Sequence, residues 1–103
     1  MRIETRQKLA KDIFKECLEV LEKKGKDYSG SGDCLSNFKR NAERLGLTKY
    51  QIMLVYMAKH FDSICNAIKA NPQNPQVESE PIRSRVVDIV NYTVIFYALM
   101  EEK

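Results

Sequence analysis

Several features that often identify a small protein are scarce in this sequence. Its 103 residues include no tryptophan, one histidine, three cysteines, four glycines and three prolines. The cysteines form no Cys-x-x-Cys pair and are odd in number, so neither a disulfide framework nor a zinc site is indicated. The single histidine, His60, gives a Cys/His nucleophile pair no support from spacing. We therefore expect a chain that is kept in a reducing compartment.

Long hydrophobic runs and an excess charge of one sign are also missing. The N-terminal stretch MRIETRQKLAKDIF has no long apolar run after its basic residues, and no window has the length and apolarity needed to span a bilayer. The 17 basic and 14 acidic residues are interspersed and sum to +3. We expect a cytoplasmic protein without a membrane partner, and nucleic acid is not implied by the charge.

The composition that remains is that of a folded globular protein, with 44% hydrophobic and 30% charged residues. A chain of this length fits one domain, residues 1–103, because a second core would leave each half too small to be stable. Long helices in so short a domain can complete their burial against a second copy. We therefore expect a homo-oligomer.

Apolar residues recur at three- and four-residue spacing from about Glu4 to Lys24, which predicts a first amphipathic helix. The segment Gly25–Asp33, GKDYSGSGD, is rich in glycine and serine and predicts a loop. Asp33 can cap a short second helix, and Gly46 is a plausible stop at its C-terminal end.

Thr48 followed by Gln51 has the spacing of a capping box and predicts the start of a third helix, which runs to about Ala70. The stretch Ile52–Ala58 is apolar nearly all round, which is typical of a central, mostly buried helix.

A fourth helix is predicted from about Ser79 to Met100, with Pro81 in its first turn. Its predicted apolar positions include Val90, Val94, Tyr97 and Met100. The fold class is therefore all-α: a compact bundle of three long helices and one short helix.

Polar residues form a stripe on each of the last two helices. On the third helix they are Lys59, Asp62, Ser63 and Asn66, and on the fourth they are Arg85, Asp88, Asn91 and Tyr92. If the stripes face each other they line a polar cleft, whereas the simpler alternative is that each faces water. That alternative is weakest for Asp88, which lies among apolar residues in VVDIVNY and would be costly to bury without a partner.

Carboxylates near the fourth helix suggest a Mg²⁺ site, because Mg²⁺ binds a few carboxylate oxygens and lets substrate phosphates complete its octahedron. The candidates are Glu78, Glu80 and Asp88, with Asp62 on the neighbouring helix. A competing explanation is an internal salt-bridge network in which Lys59 or Arg85 neutralises Asp62 and Asp88. Residue spacing does not separate the two.

The first helix and the loop after it offer further candidates. Lys24 and Lys26 supply positive charge for an anion, and Tyr28 can stack on a base or fold back as a core anchor. Three carboxylates, Glu16, Glu19 and Glu22, have the spacing of a metal-binding ladder, or else pair with lysines on a solvated face.

Three motifs in order, KKGKDYSGSGD, YMAKHFDSI and VESEPIRSRVVDIVNY, resemble the nucleotide modification associated domain 1 family of small helical proteins, found largely in phages and bacteria. The matching positions are Lys24, Asp27, Tyr28, Gly30, Lys59, Asp62, Glu78, Ser79, Asp88, Asn91 and Tyr92. The order of Lys59 and Asp62 is altered relative to that family. The resemblance implies a substrate class, nucleotides, and a place in phage nucleotide metabolism or modification.

A more distant likeness is to the all-helical MazG-type nucleotide pyrophosphohydrolases, which bind Mg²⁺ through a glutamate-rich helix and a later Glu-x-x-Asp. Glu16, Glu19 and Glu22 are similar to that helix, whereas Glu80 and Asp88 are spaced differently from the later motif.

The leading hypothesis is a nucleotide-type ligand held between the first loop and the third and fourth helices. Lys24, Lys26 and Arg85 would contact phosphate, Tyr28 or Tyr92 the base, and Asp88 with Asn91 would orient the ligand. In the enzymatic version Mg²⁺ at Glu78, Glu80 and Asp88 activates water for phosphoanhydride hydrolysis, with Glu80 and Asp88 as catalytic residues. The alternatives are a non-catalytic protein that sequesters a nucleotide signal, such as a host defence messenger, and a small interaction module.

Overall fold

The chain is all-helical, and the class predicted from the sequence is confirmed. The computed structural model describes residues 1–29 and 32–102, with the backbone alone for residues 27–29. It contains four helices, α1 (Ile3–Ser29), α2 (Ser36–Leu45), α3 (Lys49–Ala70) and α4 (Ile82–Glu101). Among the described residues there is no strand, and no helix is both long and apolar enough to cross a membrane.

The core lies where α2, α3 and the end of α4 meet. Its buried side chains are Leu35, Phe38, Ala42, Ile52, Met53 and Leu99. α3 and α4 run antiparallel, since the Tyr50 hydroxyl near the start of α3 donates to the Leu99 carbonyl near the end of α4. Among the described residues, α1 packs on α4 and α2 but not on α3. One face of α3 is consequently left without a neighbouring helix.

The ends of α2 and α3 follow the local sequence signals. Gly46 closes α2 at φ 68°, in the left-handed region that favours glycine. Thr48 and Gln51 form the predicted capping box, each side chain accepting a hydrogen bond from the other residue's backbone N–H. The prediction that Asp33 caps α2 is wrong, because the N-cap residue is Leu35, two positions later. The Asp33 carboxylate instead accepts from the Leu35 N–H and pairs with Lys39.

The prediction that a loop begins at Gly25 is wrong, because α1 continues to Ser29. A single glycine inside a helix costs only about 1 kcal/mol, which neighbouring interactions can offset. The ion pair between Lys26 and Glu22, one turn apart at 3.4 Å, is one such interaction. Lys26 therefore lies on a helix rather than in a loop.

The predicted start of α4 at Ser79 is also wrong, because the helix begins at Ile82. Pro81 precedes it with extended backbone, and a proline disfavours helical geometry in the residue before it. Ser79 and Glu80 are thereby held outside the helix. From that position the Glu80 carboxylate contacts Arg85 in the first turn of α4.

The buried face of α4 differs from the predicted one. Val94, Tyr97 and Met100 are exposed, whereas Asp88 and Asn91 are buried. The apolar residues of α4 surround most of the helix, so periodicity alone does not select a face. The two buried polar side chains have partners, described below, that compensate for their burial. On α3 the expectation of a mostly buried central helix is likewise wrong for Leu54 and Val55, which are exposed.

Candidate functional site

A cluster of polar side chains joins α1, α3 and α4; we call Lys24, His60, Glu80, Arg85 and Asp88 the polar cluster, of which His60 and Asp88 are buried. Asp88 on α4 is its centre. The Lys24 ammonium lies 3.0 Å from Asp88 Oδ1, and His60 Nδ1 lies 3.5 Å from Asp88 Oδ2. Asp88 is buried and paired, as its apolar surroundings predicted, although its cationic partner is Lys24 rather than Lys59 or Arg85.

Arg85 lies between an imidazole and a carboxylate. Its Nη1 is 2.9 Å from His60 Nδ1 and 2.9 Å from Glu80 Oε1, and its Nη2 donates to the Ser79 hydroxyl at 3.4 Å. Ser79 and Glu80 lie just before α4, and both are in contact with Arg85 in its first turn. The Arg85 Nε atom is buried and has no hydrogen-bond partner among the described residues.

The hydrogen bond from Arg85 determines the proton position on His60. A guanidinium can only donate, so Nδ1 accepts and the proton of the neutral ring lies on Nε2. Burial lowers the pKa of His60, and the cations Arg85, Lys59 and Lys24 lower it further, while Asp88 opposes them. The ring also stacks on Tyr92, with 5.6 Å between centroids. His60 is therefore held neutral at pH 7.

Stability is expected to fall on mild acidification because of His60. A pKa below the ordinary 6.5 means that the unfolded chain binds protons more readily than the folded chain. The free energy of unfolding should decrease as the pH falls from about 7.5 through 6.5 toward 5.5. Urea unfolding at these pH values measures the trend. A His60→Gln variant should flatten it, and a wild-type chain that gains stability at pH 5.5 would contradict the assignment.

A groove of about 1060 Å³ is lined by residues of all four helices; we call it the large groove. Its lining combines basic, amide and carboxylate side chains with apolar and aromatic ones. The cations are Lys24, Lys26, Arg40 and Lys59, the amides are Asn37, Asn41 and Asn91, and the apolar and aromatic side chains include Leu18, Leu21, Phe38, Tyr56, Tyr92 and Ile95. Asn41 donates to the Tyr56 hydroxyl at 2.9 Å, which joins α2 to α3 within the groove.

A second cleft of about 530 Å³, the small cleft, lies between α3 and the segment before α4. It is lined by Lys59, Asp62, Ser63, Asn66, Gln76, Glu78 and Arg85, among others. Lys59 borders both cavities. The predicted polar stripe of α3 thus lines the small cleft, whereas the α4 stripe is divided, with Arg85 at the small cleft and Asp88, Asn91 and Tyr92 at the large groove.

The residues predicted for the site are distributed accordingly. Lys24, Lys26, Lys59, Asp88, Asn91 and Tyr92 border the large groove, Lys59, Asp62, Glu78 and Arg85 border the small cleft, and Glu80 belongs to the polar cluster. The side chains of Asp27 and Tyr28, and all of Gly30, lie outside the described residues. Asn91 also has a structural role, because it donates to the Cys17 carbonyl at 3.0 Å and ties α4 to α1.

The predicted carboxylate set does not come together as a Mg²⁺ site. Glu80 and Asp88 do converge, but with His60 rather than Glu78, and the ligand atoms of these three lie within 4.8 Å of one another. Arg85 Nη1, 2.9 Å from both His60 and Glu80, already lies among them. Mg²⁺ prefers oxygen ligands and near-ideal octahedral geometry. With a guanidinium in place of the ion and an imidazole in the set, the donors do not fit Mg²⁺.

Two of the three glutamates predicted as a metal-binding ladder on α1, Glu16 and Glu22, form ion pairs instead. Glu22 pairs with Lys26 along the helix, and Glu16 pairs with Arg83 of α4 at 2.6 Å. The second pair is half-exposed and attaches α1 to the start of α4.

The sequence pattern did not single out His60 as a site residue, nor Arg40 and Asn41 of the short helix. His60 lies one turn after Tyr56 on a largely apolar helix, a spacing that predicts a shared face. No signal in the sequence connects His60 with Arg85 or Asp88. The contribution of α2 to the groove depends on tertiary packing alone.

Comparisons of the chain with family models, with curated proteins and with solved structures gave no match. What the chain does is therefore inferred from the geometry of its own residues.

Proposed function

We propose that the chain binds an anionic, nucleotide-type small molecule in the large groove. The observation that carries this proposal is that a single groove is lined both by basic and amide side chains and by apolar and aromatic ones. Phosphate groups are bound by lysine, arginine and amide donors, and a base by apolar and aromatic surfaces. The volume, about 1060 Å³, is sufficient for a ligand of this class.

Two of the groove's cations are favoured as phosphate contacts. Lys24 is paired with Asp88 and Lys26 with Glu22. Lys59 and Arg40, by contrast, have no carboxylate of the described side chains within ion-pair distance, and both are exposed. Their charges are the more readily available to a ligand. The resemblance to the nucleotide modification associated domain 1 family supports the same ligand class and a phage setting.

Binding without turnover is favoured over hydrolysis. Glu80 and Asp88, the proposed catalytic carboxylates, each have a cationic partner, Arg85 and Lys24, at 2.9 and 3.0 Å. A carboxylate engaged in this way is a poor metal ligand or general base until its partner leaves. The proposal therefore takes the sequestering form, a protein that captures a nucleotide and keeps it intact. Capture by oligomers of the chain is part of it, supported by exposed apolar side chains on all three long helices.

Equilibrium dialysis with ATP, ADP, AMP, adenosine and inorganic pyrophosphate tests the proposal, with and without Mg²⁺, followed by chromatography of the ligand. Intact, retained nucleotide supports sequestration, whereas product formed with Mg²⁺ indicates the hydrolase. If neither nucleotide nor pyrophosphate binds, the small interaction module is the hypothesis that remains. Adenosine should bind more weakly than AMP if the basic side chains of the groove contact phosphate.

Replacing Lys59 or Arg40 with glutamine is expected to weaken nucleotide binding by about tenfold, since one charge-assisted hydrogen bond contributes about 1.5 kcal/mol. Lys69→Gln is the matched control, because Lys69 is an exposed cation of α3 that borders neither cavity. Equal affinities for all three variants and the wild type would show that the groove is not the site.

A further inference from the structure

The outward face of α3 carries a continuous apolar line, which we call the outer seam. Its residues are Leu54, Ala58, Phe61, Cys65 and Ile68, at successive spacings of four, three, four and three. Leu54, Phe61 and Ile68 are 55%, 58% and 46% exposed. Alternating steps of three and four are the heptad pattern by which one α-helix packs along another. No charged residue interrupts the seam.

The seam is nearly opposite the face that α3 buries in its own chain. At 3.6 residues per turn, its centre lies about 140° around the helix axis from the centre of the buried face, which includes Ile52, His60 and Ala67. In the described part of the chain α3 packs only against α2 and α4. The seam is therefore open to a partner that approaches from outside, and the packing of α2 and α4 does not obstruct it.

We propose that the occupant of the outer seam is the same seam of a second copy of this chain, packed as a parallel, in-register pair of α3 helices. A line of apolar residues at heptad spacing is complementary to itself, so an identical helix fits it without any other requirement. In a parallel pair Phe61 meets the partner's Phe61 and Cys65 meets the partner's Cys65. The interface is separate from the groove and does not depend on the ligand proposed for it.

The charges beside the seam favour the parallel orientation. An antiparallel pair centred on Phe61 brings the two copies of Asp62 together across the interface, and like charges at that position are unfavourable. In a parallel pair Asp62 lies beside the partner's Met57, and Lys69 beside the partner's Ile64. Neither contact places like charges together.

The size of the seam determines how strong the association is. It spans residues 54–68, which is roughly 21 Å of helix. A helix pair of this length is at the lower end of specific interfaces, which need on the order of 1,000 Å² of buried surface. The dimer should therefore form with a dissociation constant on the order of micromolar, and its population should depend on protein concentration.

Sedimentation equilibrium of the full chain from about 1 to 200 μM, a range chosen around that constant, tests the pairing. Wild type is expected to shift from monomer to dimer, and Phe61→Glu to raise the dissociation constant more than about tenfold. Phe14→Glu on α1 is the matched control, because Phe14 is 57% exposed against 58% for Phe61. Circular dichroism measures whether each variant is folded. If Phe61→Glu is not folded, Leu54→Gln is used in its place.

The orientation is tested with Cys65 in a Cys34→Ser background. Cys34 and Cys65 are exposed and Cys17 is buried, so this background leaves Cys65 as the one exposed thiol of the described chain. An added oxidant should link two Cys65 thiols into a disulfide, which requires Cα atoms about 4.4–6.8 Å apart. If the wild type is a monomer at every concentration, or if Phe14→Glu dissociates the dimer and Phe61→Glu does not, the outer seam is not the dimer interface. A dimer that resists this cross-link would overturn the parallel register.

Discussion

Replacing Asp88 with asparagine is expected to lower the free energy of unfolding by about 2–3 kcal/mol. The substitution keeps the shape of the side chain but removes the buried negative charge that faces Lys24 at 3.0 Å and His60 at 3.5 Å. The loss should be below the 3–5 kcal/mol typical of a fully buried pair, because the Lys24 side chain is 48% exposed and can return to water. Urea unfolding at pH 7.5 measures it.

The matched control is Asp62→Asn, which removes the same charge from an exposed position on α3. A change within about 0.5 kcal/mol is expected there. If both variants lose the same stability, the contact between Lys24 and Asp88 is not what stabilises this part of the chain.

The reciprocal variant, Lys24→Gln, should weaken the pH trend described for His60. Without Lys24, the Asp88 carboxylate lacks its ammonium partner, and His60 Nδ1 at 3.5 Å can form a charge pair with it once the ring is protonated. The destabilisation caused by Lys24→Gln should therefore be larger at pH 7.5 than at pH 5.5. The double variant Lys24→Gln/Asp88→Asn should lose less than the sum of the single losses, and strict additivity would show that the two side chains do not interact.

The role of the polar cluster in holding three helices together affects how binding experiments are interpreted. Lys24, His60 and Asp88 come from α1, α3 and α4, so their loss disturbs the walls of the large groove as well as any contact with a ligand. A loss of binding in an Asp88 variant consequently does not identify a ligand contact. Lys59 and Arg40 are exposed and lie outside the cluster, and their variants separate binding from folding more clearly.

The sequence predicts those parts of the fold that depend on neighbouring residues. Thr48 with Gln51, and Gly46, set the ends of two helices by local hydrogen bonds and a positive φ, and both were recognisable from residue type and spacing. The extension of α1 past Gly25 was not recognisable, because the segment that begins there is rich in glycine and serine, which is typical of a loop.

The candidate site depends mostly on contacts distant in sequence, which spacing does not reveal. Lys24 and Asp88 are 64 residues apart, and His60 and Arg85 are 25 apart. The sequence did indicate that a carboxylate inside VVDIVNY needs a partner, because the cost of burying a charge is general. The sequence did not indicate which cation would pair with Asp88, because the pairing depends on how α1 packs against α4.

Replacing Arg85 with methionine is expected both to destabilise the chain and to create a metal-binding site. The variant leaves Glu80 Oε1 and His60 Nδ1 without the guanidinium that each has at 2.9 Å, which should cost about 2–3 kcal/mol. It also clears the space among His60, Glu80 and Asp88, whose ligand atoms lie within 4.8 Å of one another. One imidazole and two carboxylates suit Zn²⁺ or Mn²⁺ better than Mg²⁺.

Thermal unfolding with and without added Zn²⁺ or Mn²⁺ checks this prediction. A metal that binds only the folded variant should raise its stability by about 2.7 kcal/mol at a free concentration one hundred times the dissociation constant. Arg85→Met/His60→Gln should lose that response, because two carboxylates remain without the imidazole. The wild type should show no response, since Arg85 already occupies the position of the cation. Equal stabilisation of wild type and Arg85→Met would mean that the guanidinium and the metal do not compete, and that the hydrolase form of the proposed function regains support.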